Sequence, residues 1–171
     1  HDMLTGLERE IPLSDFPSPD ELMERYKAEA NGGKGLSVNE LTAMNQPYYS
    51  SQNTYEPRYY QRVAINRTVD AVARGDNRLL LVMATGTGKT YTAFQIVFRL
   101  LKSGMKRKIL YLADRNILVD QSISQDFAPL EKVIHKINVS KDDKTSITSH
   151  QVYFSLYQQQ GKSFPFHQTW Q

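Results

Sequence analysis

Between Pro57 and Arg74 the apolar positions Tyr60, Ala64, Ile65, Val69 and Val72 recur at steps of three and four residues, which is one face of an amphipathic helix. Gly75 supplies its stop. A nearly continuous apolar run, Arg78–Met83, follows at once, the pattern of a strand buried on both faces of a parallel sheet. A second apolar helix is predicted over Thr90–Lys102, with Gly104 ending it. Lys108–Ala113 repeats the buried-strand pattern, Asn116–Phe127 reads as a helix, and Val152–Ser155 reads as a third strand. Strands alternating with helices imply a parallel sheet with right-handed crossovers, whose ligands gather at the carboxyl ends of the strands.

The front of the chain is organised differently. Ser18-Pro19-Asp20-Glu21 is a helix start, with Ser as N-cap, Pro at the first position and Glu closing a capping box. The helix is predicted from Pro19 to about Ala30. Asn31-Gly32-Gly33-Lys34-Gly35 then breaks it, and Asn45–Thr54 is polar and aromatic without a regular period, so residues 31–54 are predicted to be a linker. Residues 138–149 are polar and are expected to form a surface loop or hairpin.

Composition narrows the class. The chain has 171 residues, of which 40% are hydrophobic and 23% charged, a globular balance that suits one domain. A net charge of +3 suits a polyanion partner only if the basic groups share a face. The absence of cysteine excludes disulfides and thiolate metal sites. The longest apolar stretch, Leu79–Ala84, is far too short to span a bilayer, so no membrane partner and a cytoplasmic location are expected. His135, His150 and His167 lack metal-ligand spacing and are given no role.

The chemistry concentrates at Met83-Ala84-Thr85-Gly86-Thr87-Gly88-Lys89-Thr90, between a predicted strand and a predicted helix. A phosphate-binding loop must sit there to use the helix N-terminus. Gly86 and Gly88 let the backbone N–H groups around Thr85 and Thr87 turn towards phosphate, Lys89 reaches the terminal phosphates, and the Thr90 hydroxyl can bind Mg²⁺. ATP with Mg²⁺ is therefore the expected ligand, with Lys89 and Thr90 as its catalytic contacts. Upstream, Gln61 beside Tyr60 can bond adenine's N6 and N7 through its carboxamide; the alternative is a surface Gln next to two core tyrosines. Arg115, at the end of the second predicted strand, can meet a phosphate backbone or serve as a helix-start charge paired with Asp114. Ser155 offers a hydroxyl at the same sheet edge.

Taken in order, Tyr60-Gln61, Ala84–Thr90, Ala113-Asp114-Arg115 and Ser155-Leu156-Tyr157-Gln158 resemble the motifs of superfamily 2 helicases. The M-A-T-G-T-G-K-T loop and the A-D-R-N-I-L-V-D-Q segment, Ala113–Gln121, resemble motifs I and Ia of the R subunit of type I restriction enzymes. Arg9–Leu13 and Phe16–Leu22 resemble the link that follows that family's nuclease domain. The resemblance implies an α/β fold with a RecA-like parallel sheet flanked by helices, incomplete here and preceded by a helical linker region. It implies residues 1–30 as the tail of a nuclease-side region, 31–54 as a linker, and 55–171 as a first motor domain ending before a D-E-x-H motif. It also implies ATP hydrolysis, translocation and cleavage of duplex DNA alongside methylation and specificity subunits, with Arg115 and Ser155 on the DNA. Ser155 stands where the family often has threonine, and no D-E-x-H segment occurs; without that acidic pair, phosphate binding survives but catalysis does not. The competing classes are another helicase of the superfamily, acting on DNA or RNA, and a non-motor P-loop phosphotransferase.

Overall fold

The computed structural model describes residues 7–52, 55–138 and 149–158. Helix α1, Pro19–Gly33, begins as its sequence dictates: the Ser18 hydroxyl accepts from the Glu21 N–H, and the Glu21 carboxylate accepts from the Ser18 N–H. Such reciprocal caps satisfy donors that the first turn leaves free and contribute on the order of 1 kcal/mol. Ala30, Asn31 and Gly32 leave helical geometry, so the Asn-Gly-Gly break acts where it is written.

The expected linker is corrected by helix α2, Val38–Asn45, capped by a second box between Ser37 and Glu40. Ala43 of α2 is fully buried against Ile65, Val69 and Leu100. The helix is too short to hold by propensity alone, and packing on helix α3, Tyr59–Arg74, supplies the rest. Glu40 is buried as well, its carboxylate taking bonds from the Ser37 N–H and from Asn31 Nδ2. Those hydrogen bonds hold its carboxyl below the usual range against the opposing effect of burial.

Helix α3 ends at Gly75, which adopts the left-handed conformation at φ 94°, as a glycine C-cap should. Helix α4, Lys89–Lys102, runs beside it. Strand β1, Ile109–Ala113, helix α5, Asn116–Ser124, strand β2, Ile134–Lys136, and strand β3, Val152–Leu156, complete the fold. The sheet is parallel in the order β1-β3-β2, so the last strand among the described residues is central. Its residues Val152, Tyr153 and Phe154 are fully buried. Phe94 and Val97 of α4 close one face together with Val119, Phe127, Val152 and Phe154. The rings of Tyr111 and Phe154 stack at 4.7 Å, and Phe127 meets Phe154 edge-on at 5.1 Å. Helix α5 is shorter than its expected span to Phe127; a 3-10 turn, Ala128–Val133, takes over and delivers β2.

One expected strand does not form among the described residues. Arg78–Met83 forms no sheet pairing in the described structure, and Leu79, Leu80, Leu81 and Val82 are 49, 90, 44 and 83% exposed. The alternation keeps the two-residue period of an extended chain: Leu79 and Leu81 are the more covered pair. The run shares a groove of about 540 Å³ with Tyr60, Val63, Ala64 and Arg67 of α3. A strand needs a neighbour for its N–H and C=O groups as well as an apolar sequence, and none of the described residues provides one. The expected loop over 138–149 falls mostly outside the described residues, and the aromatic stretch Phe164-Pro165-Phe166 with Trp170, together with His167, falls wholly outside. Among the described residues no helix is long and apolar enough to cross a membrane.

Candidate nucleotide-binding site

The apolar run leads directly into the glycine loop, and helix α4 leads out of it. Gly86 and Gly88 both have φ 79°, a region that costs a non-glycine residue roughly 1–2 kcal/mol. At Gly88 there is a second reason for glycine: a Cβ would come within 2.5 Å of Gln61 Nε2. At Gly86 a Cβ would meet nothing within 4 Å, so that residue is required for conformation and keeps the space beside it clear. The Thr92 N–H bonds the Gly88 carbonyl at 2.9 Å, whereas the N–H groups before it in the first turn of α4 have no acceptor within the helix. Those donors, added to the positive end of the helix dipole, make an anion site.

Lys89 Nζ rests on the carbonyls of Ala84 and Met83 at 3.1 and 3.4 Å, and the Thr87 hydroxyl donates to the same Ala84 carbonyl at 2.7 Å. A neutral carbonyl offers an ammonium no opposite charge, and a phosphate competes for it well because it adds direct charge attraction to the hydrogen bond. Tyr60 and Gln61 reach the loop from α3: Gln61 Nε2 donates to the Thr87 carbonyl at 3.0 Å, and the Tyr60 hydroxyl reaches it at 3.4 Å. Gln61 is buried, and its Oε1 accepts from the Arg58 N–H at 2.9 Å. One N–H and one lone pair of the carboxamide are thus in use, and one of each stays available by its chemistry. The surface-Gln alternative does not describe this residue.

On the other side of α4 lies a groove of about 540 Å³ whose walls include Lys89, Thr90, Ala113, Asp114, Gln121 and Asp126. Burial raises the Asp126 carboxyl above its ordinary range. Thr90 therefore faces a trough containing acidic side chains, although no cluster of three or more metal-ligating groups occurs among the described residues.

Arg115 and Ser155 have different settings. Arg115 is the N-cap of α5, with its side chain 76% exposed and 3.7 Å from Asp114. Ser155 is only 2% exposed, in the lining of a smaller cleft of about 310 Å³ with Asn116, Lys136 and Asn138. Lys136 is not evident from sequence as part of this cleft; it stands at the carboxyl end of β2, bonded to Asp120 of α5 at 2.6 Å. A basic residue at a strand's carboxyl end is the signal that could have found it, but a three-residue strand gives too little pattern to be read. Gln158 Nε2 donates to the Asp114 carbonyl at 2.9 Å, tying the ends of β3 and β1 together. His135 and His150 stack at 5.1 Å, well away from the glycine loop in sequence.

A family described as "Type III restriction enzyme, res subunit" matches residues 54–169. The chain belongs to this restriction-enzyme family. Its similarity within the family is to type I subunits: it is 48% identical over 152 residues to the EcoAI endonuclease subunit of Escherichia coli, covering 89% of this chain and 18% of that protein. It is 46% identical over 111 residues to the EcoKI endonuclease subunit of Escherichia coli strain K12, covering 65% of this chain and 9% of the relative. The chain thus spans less than a fifth of the length of these curated relatives. A solved fragment structure described as an HsdR subunit of a type I restriction enzyme from Vibrio vulnificus YJ016 superposes with a TM-score of 0.67 at 37% identity, over 92% of this chain and 26% of that one. The chain is therefore HsdR-like, and its small parallel sheet with flanking helices is part of a RecA-like α/β fold. The family match takes in everything from α3 to β3, including the glycine loop.

Proposed function

We propose that this chain is the ATP-binding front part of the ATP-dependent DNA translocase and endonuclease subunit of a type I restriction-modification system. The observation that carries it is the meeting of Gln61, Tyr60 and the glycine loop at one carbonyl, that of Thr87, directly before the N-terminus of α4. Phosphates lie along the loop and the first turn of α4, with Thr85, Gly86, Thr87 and Gly88 giving backbone N–H groups and Lys89 neutralising the β- and γ-phosphates. Thr90 would be the protein ligand for Mg²⁺, which when bound would supply positive charge to offset that of the transferring phosphoryl group. Gln61 turns its spare donor and acceptor to adenine's N7 and N6. Residues 1–30 are read as the tail of a nuclease-side region, 31–54, with helix α2 inside it, as the link, and 55–171 as the first motor domain.

DNA runs along the carboxyl edge of the sheet, with exposed Arg115 on the phosphate backbone and Ser155 in the cleft beside it. These contacts position a duplex without reading its bases, so target choice belongs to the methylation and specificity subunits of the complex. Stimulation of ATP use by duplex DNA would favour a motor over a phosphotransferase, and stronger stimulation by duplex DNA than by RNA would exclude the RNA-helicase reading.

The test uses the full-length subunit, with ATP binding followed by calorimetry and ATP hydrolysis followed with and without duplex DNA. Lys89→Ala is expected to weaken ATP by at least about tenfold, the loss of one charge-assisted phosphate contact. Arg115→Ala is expected to keep ATP affinity and to lower the salt slope of DNA binding by about one. Unchanged ATP affinity in folded Lys89→Ala would sink the phosphate-loop reading; an unchanged slope in Arg115→Ala would take that residue off the DNA path.

A further inference from the structure

Three polar side chains on α4, Tyr91, Gln95 and Arg99, are spaced four residues apart and therefore lie along one stripe of the helix. Gln95 and Arg99 are 0 and 3% exposed, where apolar residues would ordinarily pack. Each bonds the backbone of the chain that leads into α3. Arg99 donates to the Ala43 carbonyl at 2.7 Å and to the Met44 carbonyl at 3.5 Å, at the carboxyl end of α2, and to Asn66 Oδ1 at 2.6 Å. The negative end of the α2 dipole and the Tyr48 ring, 5.0 Å from the guanidinium, offset a buried charge that has no carboxylate partner in these bonds. Gln95 pairs both ends of its carboxamide with one residue: Oε1 accepts from the Tyr49 N–H at 2.9 Å, and Nε2 donates to the Tyr49 carbonyl at 3.1 Å. Nε2 also bonds the Tyr91 hydroxyl at 2.9 Å, and that hydroxyl donates to the Tyr55 carbonyl.

The contacts advance in register, with residues 99, 95 and 91 of α4 meeting residues 43–44, 49 and 55 of the incoming chain. Beyond Tyr55, Arg62 holds the Pro57 carbonyl at 2.9 Å and the Glu56 carboxylate. Arg58 then gives its N–H to Gln61 Oε1. The stripe thus fixes the approach to α3 against the same helix that begins at the glycine loop. An apolar stripe would bury as well but would tolerate sliding; carboxamide-to-backbone pairing specifies one register.

We propose that Tyr91, Gln95 and Arg99 act as a positioning ladder for base recognition, setting the Arg58 N–H and through it the Gln61 carboxamide, so that the ladder governs the preference for adenine over guanine nucleotides and leaves phosphate affinity alone. This rests on the reading of Gln61 as the adenine contact. The residues are positioning residues and touch no nucleotide themselves. A purely structural role would weaken all ligands together.

The experiment compares Mg²⁺-ATP, Mg²⁺-GTP and Mg²⁺-tripolyphosphate binding by calorimetry in the full-length protein, for the parent, Gln95→Leu, Tyr91→Phe and Gln61→Ala. Gln95→Leu preserves bulk and removes the pairing. It is expected to lower the ATP-to-GTP affinity ratio about fivefold, the equivalent of one modest hydrogen bond, with tripolyphosphate affinity kept within about twofold. Tyr91→Phe removes a single hydroxyl and should lower the ratio in the same direction by a smaller factor, and it carries the test if Gln95→Leu does not fold. If Gln61→Ala lowers the ratio and neither ladder variant does, the ladder is overturned and the adenine reading stands. If none of the three changes it, both fall. A parallel loss of tripolyphosphate affinity in the ladder variants would also overturn it, since the stripe would then support the fold as a whole.

Discussion

Strand β3 and the run Leu79–Met83 are both short and apolar, yet their fates in the structure are opposite. Val152, Tyr153 and Phe154 are fully buried, with β1 paired on one side of the strand and β2 on the other. Leu80 and Val82 are 90 and 83% exposed and the run has no sheet partner among the described residues. The difference is one of neighbours. An apolar pattern records that a segment is meant to be covered, while the covering depends on strands and helices elsewhere in the chain. For β3 they are β1, β2, α4 and α5; for Leu79–Met83 only the side facing α3 is partly met.

The largest effect expected from this contrast is at Phe154. Its ring stacks on Tyr111 and meets Phe127 edge-on, in the middle of a close-packed cluster where little can relax into a cavity. Phe154→Ala should destabilise the chain by about 3–5 kcal/mol, read as a lower urea midpoint with an unchanged slope. A loss below about 1 kcal/mol would mean that the central strand is not the keystone of the core, and the contrast with Leu79–Met83 would disappear.

What could be read from sequence follows the same line. The caps of α1 and α3 are local chemistry, and Ser18-Pro19-Asp20-Glu21 and Gly75 gave them away. The glycine loop was legible because its conformational demands and its chemistry coincide at Gly86, Gly88 and Lys89. Helix α2 is obscured in the sequence although Ser37 and Glu40 carry the same capping signal as Ser18 and Glu21, because the polar, aromatic stretch after it reads as linker. Strand β2 is three residues long and has no period to detect. The residues around Gln61 point to a base contact, whereas its anchoring of the loop through Thr87 depends on α3 packing beside α4. Lys136, Gln95 and Arg99 are likewise invisible locally, since their partners Asp120, Tyr49 and Ala43 come from other elements.

The smallest effect is expected where sequence reasoning alone would have predicted a large one. Leu80→Ser replaces a large apolar side chain in what reads as a strand buried on both faces, a change that in a core costs several kcal/mol. In the 171-residue chain Leu80 is 90% exposed, so the urea midpoint should move by the equivalent of no more than about 0.5 kcal/mol. A loss above about 1 kcal/mol in that chain would show that the run packs in solution and that its contrast with β3 is false. The same substitution in the full-length protein sharpens the comparison. Consecutive large apolar side chains exposed to this extent mark a contact surface, and the chain covers only 18% of its EcoAI relative, so the loss there should exceed that in the 171-residue chain. Equal and small losses in both would leave the run facing solvent throughout, and its apolar character would then require a reason other than burial.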